Sequence, residues 1–192
     1  MQSEKNMQDF VITLLKNKLP ASYYYHNAAH ALYVMRTAIE IGQHESCTEK
    51  EIQLLSTAAL WHDTGCIVTY VGHEAAGCVL TRQYLPDYGY SDSDINTICG
   101  MIMATRIPQT PQNKLEDIIA DADLEYLGTK NAVIQAASLF RELRSLDPTL
   151  SEYEWDQRQI NFLQKHRYFT RFCKQNREPG KLAYLNELKN RI

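Results

Sequence analysis

Apolar residues recur along this 192-residue chain at three- and four-residue intervals, interrupted by helix-start and helix-stop signals. Met7, Phe10, Val11, Leu14 and Leu15 trace one stripe over 4–17, ahead of Pro20. The Ala-, Leu- and Met-rich stretch 27–45 predicts a second helix. Thr48 with Glu51 forms a capping-box pattern that opens a third, running through Trp61. Gly65 and the β-branched Ile67, Val68 and Thr69 break the pattern. A helix over 73–85 follows, ending before Pro86. Ser91 with Asp94 caps the next, to about Thr105. Pro108 and Pro111 bracket a loop. A helix over about 114–127 ends at Gly128, and Thr129 can cap another to Leu146. Asp147-Pro148 stops it. Ser151 with Glu154 caps a long helix to about Gln175, and Pro179-Gly180 precedes a final short one. With 8 Gly and 6 Pro the chain has too few turn formers for an all-β fold. The expectation is all-α, a single domain over 1–192 with short connections.

Charge and cysteine usage narrow the function classes. The 20 basic and 23 acidic residues leave a net charge of −3, so nothing points to nucleic acid or an anionic membrane. Five cysteines (47, 66, 78, 99 and 173) are scattered and never in CxxC spacing. That suggests neither a disulfide framework nor a thiolate zinc site, and a cytoplasmic location is expected. The acid in Met-Gln-Ser-Glu-Lys-Asn argues against a signal peptide, and no apolar run approaches the ~20 residues of a membrane span.

Four short features carry the chemistry. In Tyr25-His26-Asn27-Ala28-Ala29-His30-Ala31 the two histidines lie four apart, about one turn along a helix face. His30 shares its sector with Val34 and Ile41, so it faces inward. His62-Asp63 follows the apolar run Ala58-Ala59-Leu60-Trp61. Adjacent helical residues point ~100° apart, so both reach one ion only where the helix ends, and Gly65 supplies an ending. His73-Glu74 opens the next helix. Asp121 and Asp123 diverge by ~160° on a helix, so only one of them can join a shared site. Asp123 stacks with Ile119, Ala120, Tyr126 and Leu127, and Asp121 with Asp117 and Glu125. Asp123 is therefore expected to face inward and Asp121 to face solvent. Singly, each feature has an ordinary explanation: helix histidines, a capping aspartate, an acidic first turn, a buried salt bridge. Together they collect two imidazoles and two carboxylates from three helices. This set suits Mn, Fe, Co, Ni, Zn or Mg.

Taken in order in an all-α chain, Tyr-His-Asn-x-x-His-Ala, His-Asp and Asp-Ala-Asp-Leu resemble the HD-domain metal-dependent phosphohydrolase superfamily. The match spans a motif core of about 25–128, with 129–192 as a C-terminal helical extension similar to that of small bacterial members. The resemblance implies an HD-type helical bundle with His30, His62, Asp63 and Asp123 as metal ligands. It implies that His26 donates a proton to the leaving oxygen, as in the similar opening motif of cyclic-nucleotide phosphodiesterases. His73-Glu74 looks like the His-Glu pair that deoxynucleotide triphosphohydrolases hold near the phosphates. The implied substrate is a nucleotide or another small phosphate ester, with catalytic roles for His26, Asp63, His73 and Glu74.

The chain departs from the histidine-richer branches. After His73 there is no histidine until His166, and none around Met101–Thr105. One ion per chain is expected, with a second, weak site compatible, and a di-iron oxygenase is the lesser alternative. A non-catalytic metal- or nucleotide-binding sensor is the other, opposed by the complete ligand set. Arg106 and Lys130 are candidate phosphate contacts, each with a surface role as its ordinary explanation. The size and helical class are compatible with a homodimer.

Overall fold

A computed structural model describes residues 2–191, with side chains from Asn6 onward. Among the described residues there are ten α-helices and no strand. They are α1 (Gln2–Lys18), α2 (Ala28–His44), α3 (Glu49–Trp61), α4 (His73–Tyr84), α5 (Asp92–Ala104), α6 (Lys114–Leu124), α7 (Ala132–Leu146), α8 (Glu152–Lys165), α9 (Arg171–Asn176) and α10 (Glu178–Lys189). Single 3-10 turns follow α3, α4 and α6.

Three of the polar residues at the helix starts act as the sequence predicts. Thr48/Glu51, Ser91/Asp94 and Ser151/Glu154 each close a reciprocal capping box. Asn27 accepts from the backbone N–H groups of Ala29 and His30, which starts α2 and seats His30 in its first turn.

Two apolar clusters form. The larger lies among α1 to α6, with Val11, Leu15, Val34, Ile41, Leu55, Trp61, Ile98 and Ile118 at its centre. The smaller lies among α7, α8, α10 and the turn after α6, around Leu127, Ala136, Ile160, Leu163, Leu185 and Leu188.

The C-terminal helices depart from the sequence expectation in three places. The helix opened by Ser151 ends at Lys165, ten residues short of Gln175. Tyr168 is pulled into the core, where its hydroxyl donates to the carbonyls of Leu124 and Glu125. The N–H groups of Phe169 and Thr170 and the Thr170 hydroxyl all donate to the Asp121 carboxylate, and Thr170 then caps α9. Asp121 is thus fully buried, not on a solvent face. Facing away from Asp123 turns it toward the C-terminal helices and not toward water. Second, Pro179 sits inside the first turn of α10, where the missing N–H costs nothing. Gly180 lets α10 press on the turn after α6, since a Cβ there would lie 2.2 Å from the Gly128 carbonyl oxygen. Third, α7 begins at Ala132, and the Thr129 hydroxyl accepts from Asn131 N–H without capping the helix.

Candidate metal centre

α3 ends at Trp61, and the chain leaves helical geometry at Asp63 (φ −98°, ψ 3°). That break turns the His62 and Asp63 side chains toward a common point. The turn is held against α4 by Gly65, where a Cβ would meet the His73 carbonyl oxygen at 1.9 Å and the Gly77 nitrogen at 2.4 Å. Only glycine permits this approach, which sets His73 beside Asp63.

Four side chains converge. His30 Nε2 lies 3.0 Å from Asp123 Oδ1 and 3.5 Å from Asp63 Oδ2. His62 Nε2 lies 3.0 Å from Asp63 Oδ2 and 3.6 Å from Asp123 Oδ1. Ligands about 2.1 Å from one ion stand about 3.0 Å apart at right angles and about 3.4 Å apart in a tetrahedron, and the four separations match that spacing. His62 Nδ1 donates to the Ala59 carbonyl at 2.7 Å, which leaves the Nε2 lone pair facing the cluster. His62 Nε2 and Asp63 Oδ2 are both buried and neither has a hydrogen-bond partner among the described residues, although they adjoin. Two adjoining orphaned ligand atoms mark a place that a cation satisfies. The residues therefore fit a divalent ion.

Asp63 faces two ways. Its Oδ1 lies 3.3 Å from His73 Nε2, and His26, Asp63 and His73 make a second group able to hold an ion, beside the group His30, His62 and Asp123. His73 Nδ1 donates to the Tyr70 carbonyl, and its Nε2 lies 3.8 Å from Glu74 Oε1. Burial works against charge on His26, His62 and His73, yet the carboxylates outweigh it. Asp63 and Asp123 hold His62 well above its ordinary value, and Asp63 brings His73 up to about 9. Burial would raise Asp63 itself, but His62 and His26 hold it well below the carboxylate range.

Glu142 of α7, unremarked in the sequence, organises His26. It is fully buried, bonds His26 Nδ1 and accepts from the backbone N–H groups of Tyr25 (2.8 Å) and His26 (3.0 Å). The Tyr70 hydroxyl donates to it as well, at 3.1 Å. Burial opposes charge on His26, but Asp63 and Glu142 together raise it above its ordinary value. Glu142 follows Ala132, Ala136 and Leu139 at helical spacing, so an acid on α7's apolar stripe was the available signal, of the same kind that singled out Asp123.

A cavity of about 310 Å³ opens onto these groups. His26, Asp63, His73, Glu74 and Asp123 line one end, and residues of α7, α8 and α10 the other. Arg106 and Lys130 are exposed and lie outside its lining. The cation in the wall is Arg158 of α8, for which no reading of isolated motifs gave a signal.

The HD domain family matches residues 27–125, just over half of the chain. This chain belongs to the HD domain family. No curated protein matches it in sequence. Among solved structures it is similar to a predicted HD superfamily hydrolase from an uncultured Thermotogales bacterium, at 21% identity and a TM-score of 0.64, over 95% of this chain and 89% of that one. It is also similar to Bacillus subtilis YpgQ, solved in complex with ADP, at 16% identity and a TM-score of 0.67, over 100% of this chain and 95% of that one.

Proposed function

We propose that this member of a metal-dependent hydrolase family is a phosphohydrolase of small phosphate esters. The observation that carries the reading is the pair of orphaned ligand atoms, His62 Nε2 and Asp63 Oδ2, completed by His30 and Asp123 at ligand spacing. All four would hold a borderline or hard divalent ion, one per chain, and Asp63 with His26 and His73 would offer a weaker second position only with both imidazoles deprotonated. When bound, the ion supplies an activated water and neutralises charge on the phosphoryl oxygens.

The chain's own residues do the rest. Glu142 fixes the ring of His26 through Nδ1 and favours its protonated form, so His26 keeps a proton at Nε2 for the departing oxygen. His73, also protonated near neutrality, stands beside Glu74 in the cavity wall to meet phosphate oxygens. Arg158 draws the anionic substrate in. The motif core and the C-terminal helices act as one unit, since both line the cavity. The ADP bound to YpgQ supports nucleoside phosphates as members of the substrate class, and the His26 motif favours a phosphodiester over a monoester. None of the described helices is long and apolar enough to cross a membrane. The five scattered cysteines, never in CxxC spacing, support a reducing, cytoplasmic location.

The test is a panel of mono- and diesters with Mn, Fe, Co, Ni, Zn and Mg, metal content measured in parallel. Turnover that disappears in Asp63→Ala is the expected result. Inactivity of the metal-loaded protein across the panel, or an active Asp63→Ala variant, would overturn the reading. Two irons per chain required for activity would favour the oxygenase.

A further inference from the structure

The cavity continues past the candidate ion ligands into a pouch that hydrolysis alone does not require. Its wall is apolar: Leu127, Leu139, Trp155, Phe162, Leu163 and Tyr184. Apart from Arg158, its polar side chains at this end already have protein partners. The Tyr184 hydroxyl donates to Gln159 Oε1 at 2.6 Å, and Gln159 Nε2 donates to Asp156 at 3.0 Å. The Thr105 hydroxyl donates to the Ile102 carbonyl at 2.8 Å, and the Tyr126 and Tyr25 hydroxyls bond each other. Each of these groups has a donor or acceptor already taken, which weakens its reading of a nucleobase edge. Leu139, Trp155 and Phe162 are meanwhile only half-buried, with apolar surface facing open space. A volume of about 310 Å³ for the whole cavity suits a small ring-bearing phosphate ester.

We propose that the pouch takes a flat apolar ring carried by the phosphate ester, so that substrates are selected by ring burial and not by hydrogen bonds to the ring's edge. This rests on the hydrolase reading above. In the reaction the bond from phosphorus to the alcohol oxygen breaks, a water oxygen takes its place on phosphorus, and the His26 proton goes to the departing alcohol. The ring stays in the pouch throughout. The enzyme then favours esters of ring-bearing alcohols over esters of polar ones and treats the different nucleobases alike.

Benzyl phosphate and glycerol 3-phosphate test this, because both release alkyl alcohols of similar basicity. With metal-loaded protein, kcat/KM for benzyl phosphate is expected to be about tenfold higher or more. The adenine, guanine, cytosine and uracil nucleoside monophosphates should fall within about threefold of one another. Ala136→Phe, which fills the pouch, should draw the benzyl-to-glycerol ratio toward one. Equal rates for the two esters in the wild type, or a tenfold preference for one base, would overturn the proposal. A second measurement needs no metal. The chain has 2 Trp: Trp155 lines the pouch and Trp61 is buried in the other core. Metal-free protein should show saturable fluorescence quenching by 4-nitrobenzyl alcohol, lost in Trp155→Phe. Quenching that does not saturate, or that survives in Trp155→Phe, counts against the pouch. If no ester, including the diesters of the panel above, is hydrolysed but the quenching saturates, the hydrolase reading fails and the ring site stands.

Discussion

The α1–α6 bundle and the α7–α10 extension meet at one cavity but contribute unlike things to it. The bundle is closely packed, and it brings the buried His30, His62 and Asp63 to one point with Asp123. The extension has a thinner core and leaves apolar surface facing the cavity. It also sends one buried acid, Glu142, across to the bundle's His26. The difference teaches that the chemistry and its tuning come from separate halves. The bundle assembles what an ion needs, while the extension decides how His26 is held and what fits beside it.

The largest expected effect tests whether the extension only shapes the substrate site. Glu142→Gln keeps the shape but removes the charge, and kcat should fall by about 10²-fold with metal content unchanged. The sign of the pH effect follows. Glu142 raises the pKa of His26, and a general acid must be protonated, so activity fails as pH rises through that value. Without the carboxylate the alkaline limb of kcat/KM moves to lower pH. An unchanged limb would mean that Glu142 merely fills space.

Gly65→Ala probes the bundle's side of the same comparison. The added methyl meets the His73 carbonyl oxygen and the Gly77 nitrogen, which are backbone and cannot swing away. We expect about 1–3 kcal/mol lost in denaturant unfolding and weaker metal binding, as α4 is pushed off the His62-Asp63 turn. Full metal affinity in this variant would separate α4 from the ion site.

Asp121→Asn tests how the halves are joined. An amide in place of Oδ2 would turn donor against the Thr170 N–H and hydroxyl. A loss of about 1–3 kcal/mol is expected, with metal content intact, measured by unfolding and elemental analysis.

The smallest effects concern the surface cations. Arg158→Gln should raise KM about threefold, an increase that shrinks at high salt, while Arg106→Gln and Lys130→Gln leave KM within about twofold. Equal effects from all three would indicate a diffuse field and no special place for Arg158.

Several helix starts were legible because a cap is a local event: Thr48, Ser91 and Ser151 each satisfy an N–H group three residues away. The break after Lys165 was not, because it depends on Asp121, some fifty residues distant in sequence. The same boundary runs through the site. His30 and Asp123 could be chosen as inward-facing from their own helical neighbours. Arg158 could not be preferred over Arg106 or Lys130, since three solvated cations look alike until a cavity forms beside one of them.

The sequence by itself determined an all-α chain, most of the helix starts, and the order of the four candidate ligands along it, because periodicity, capping and residue type are properties of adjacent residues. Only the tertiary structure decided that Asp121 is buried, that Glu142 holds His26, and that the extension supplies an apolar pouch. Those facts arise where distant segments exclude water from one another, and burial of this kind is not encoded in any short window of sequence.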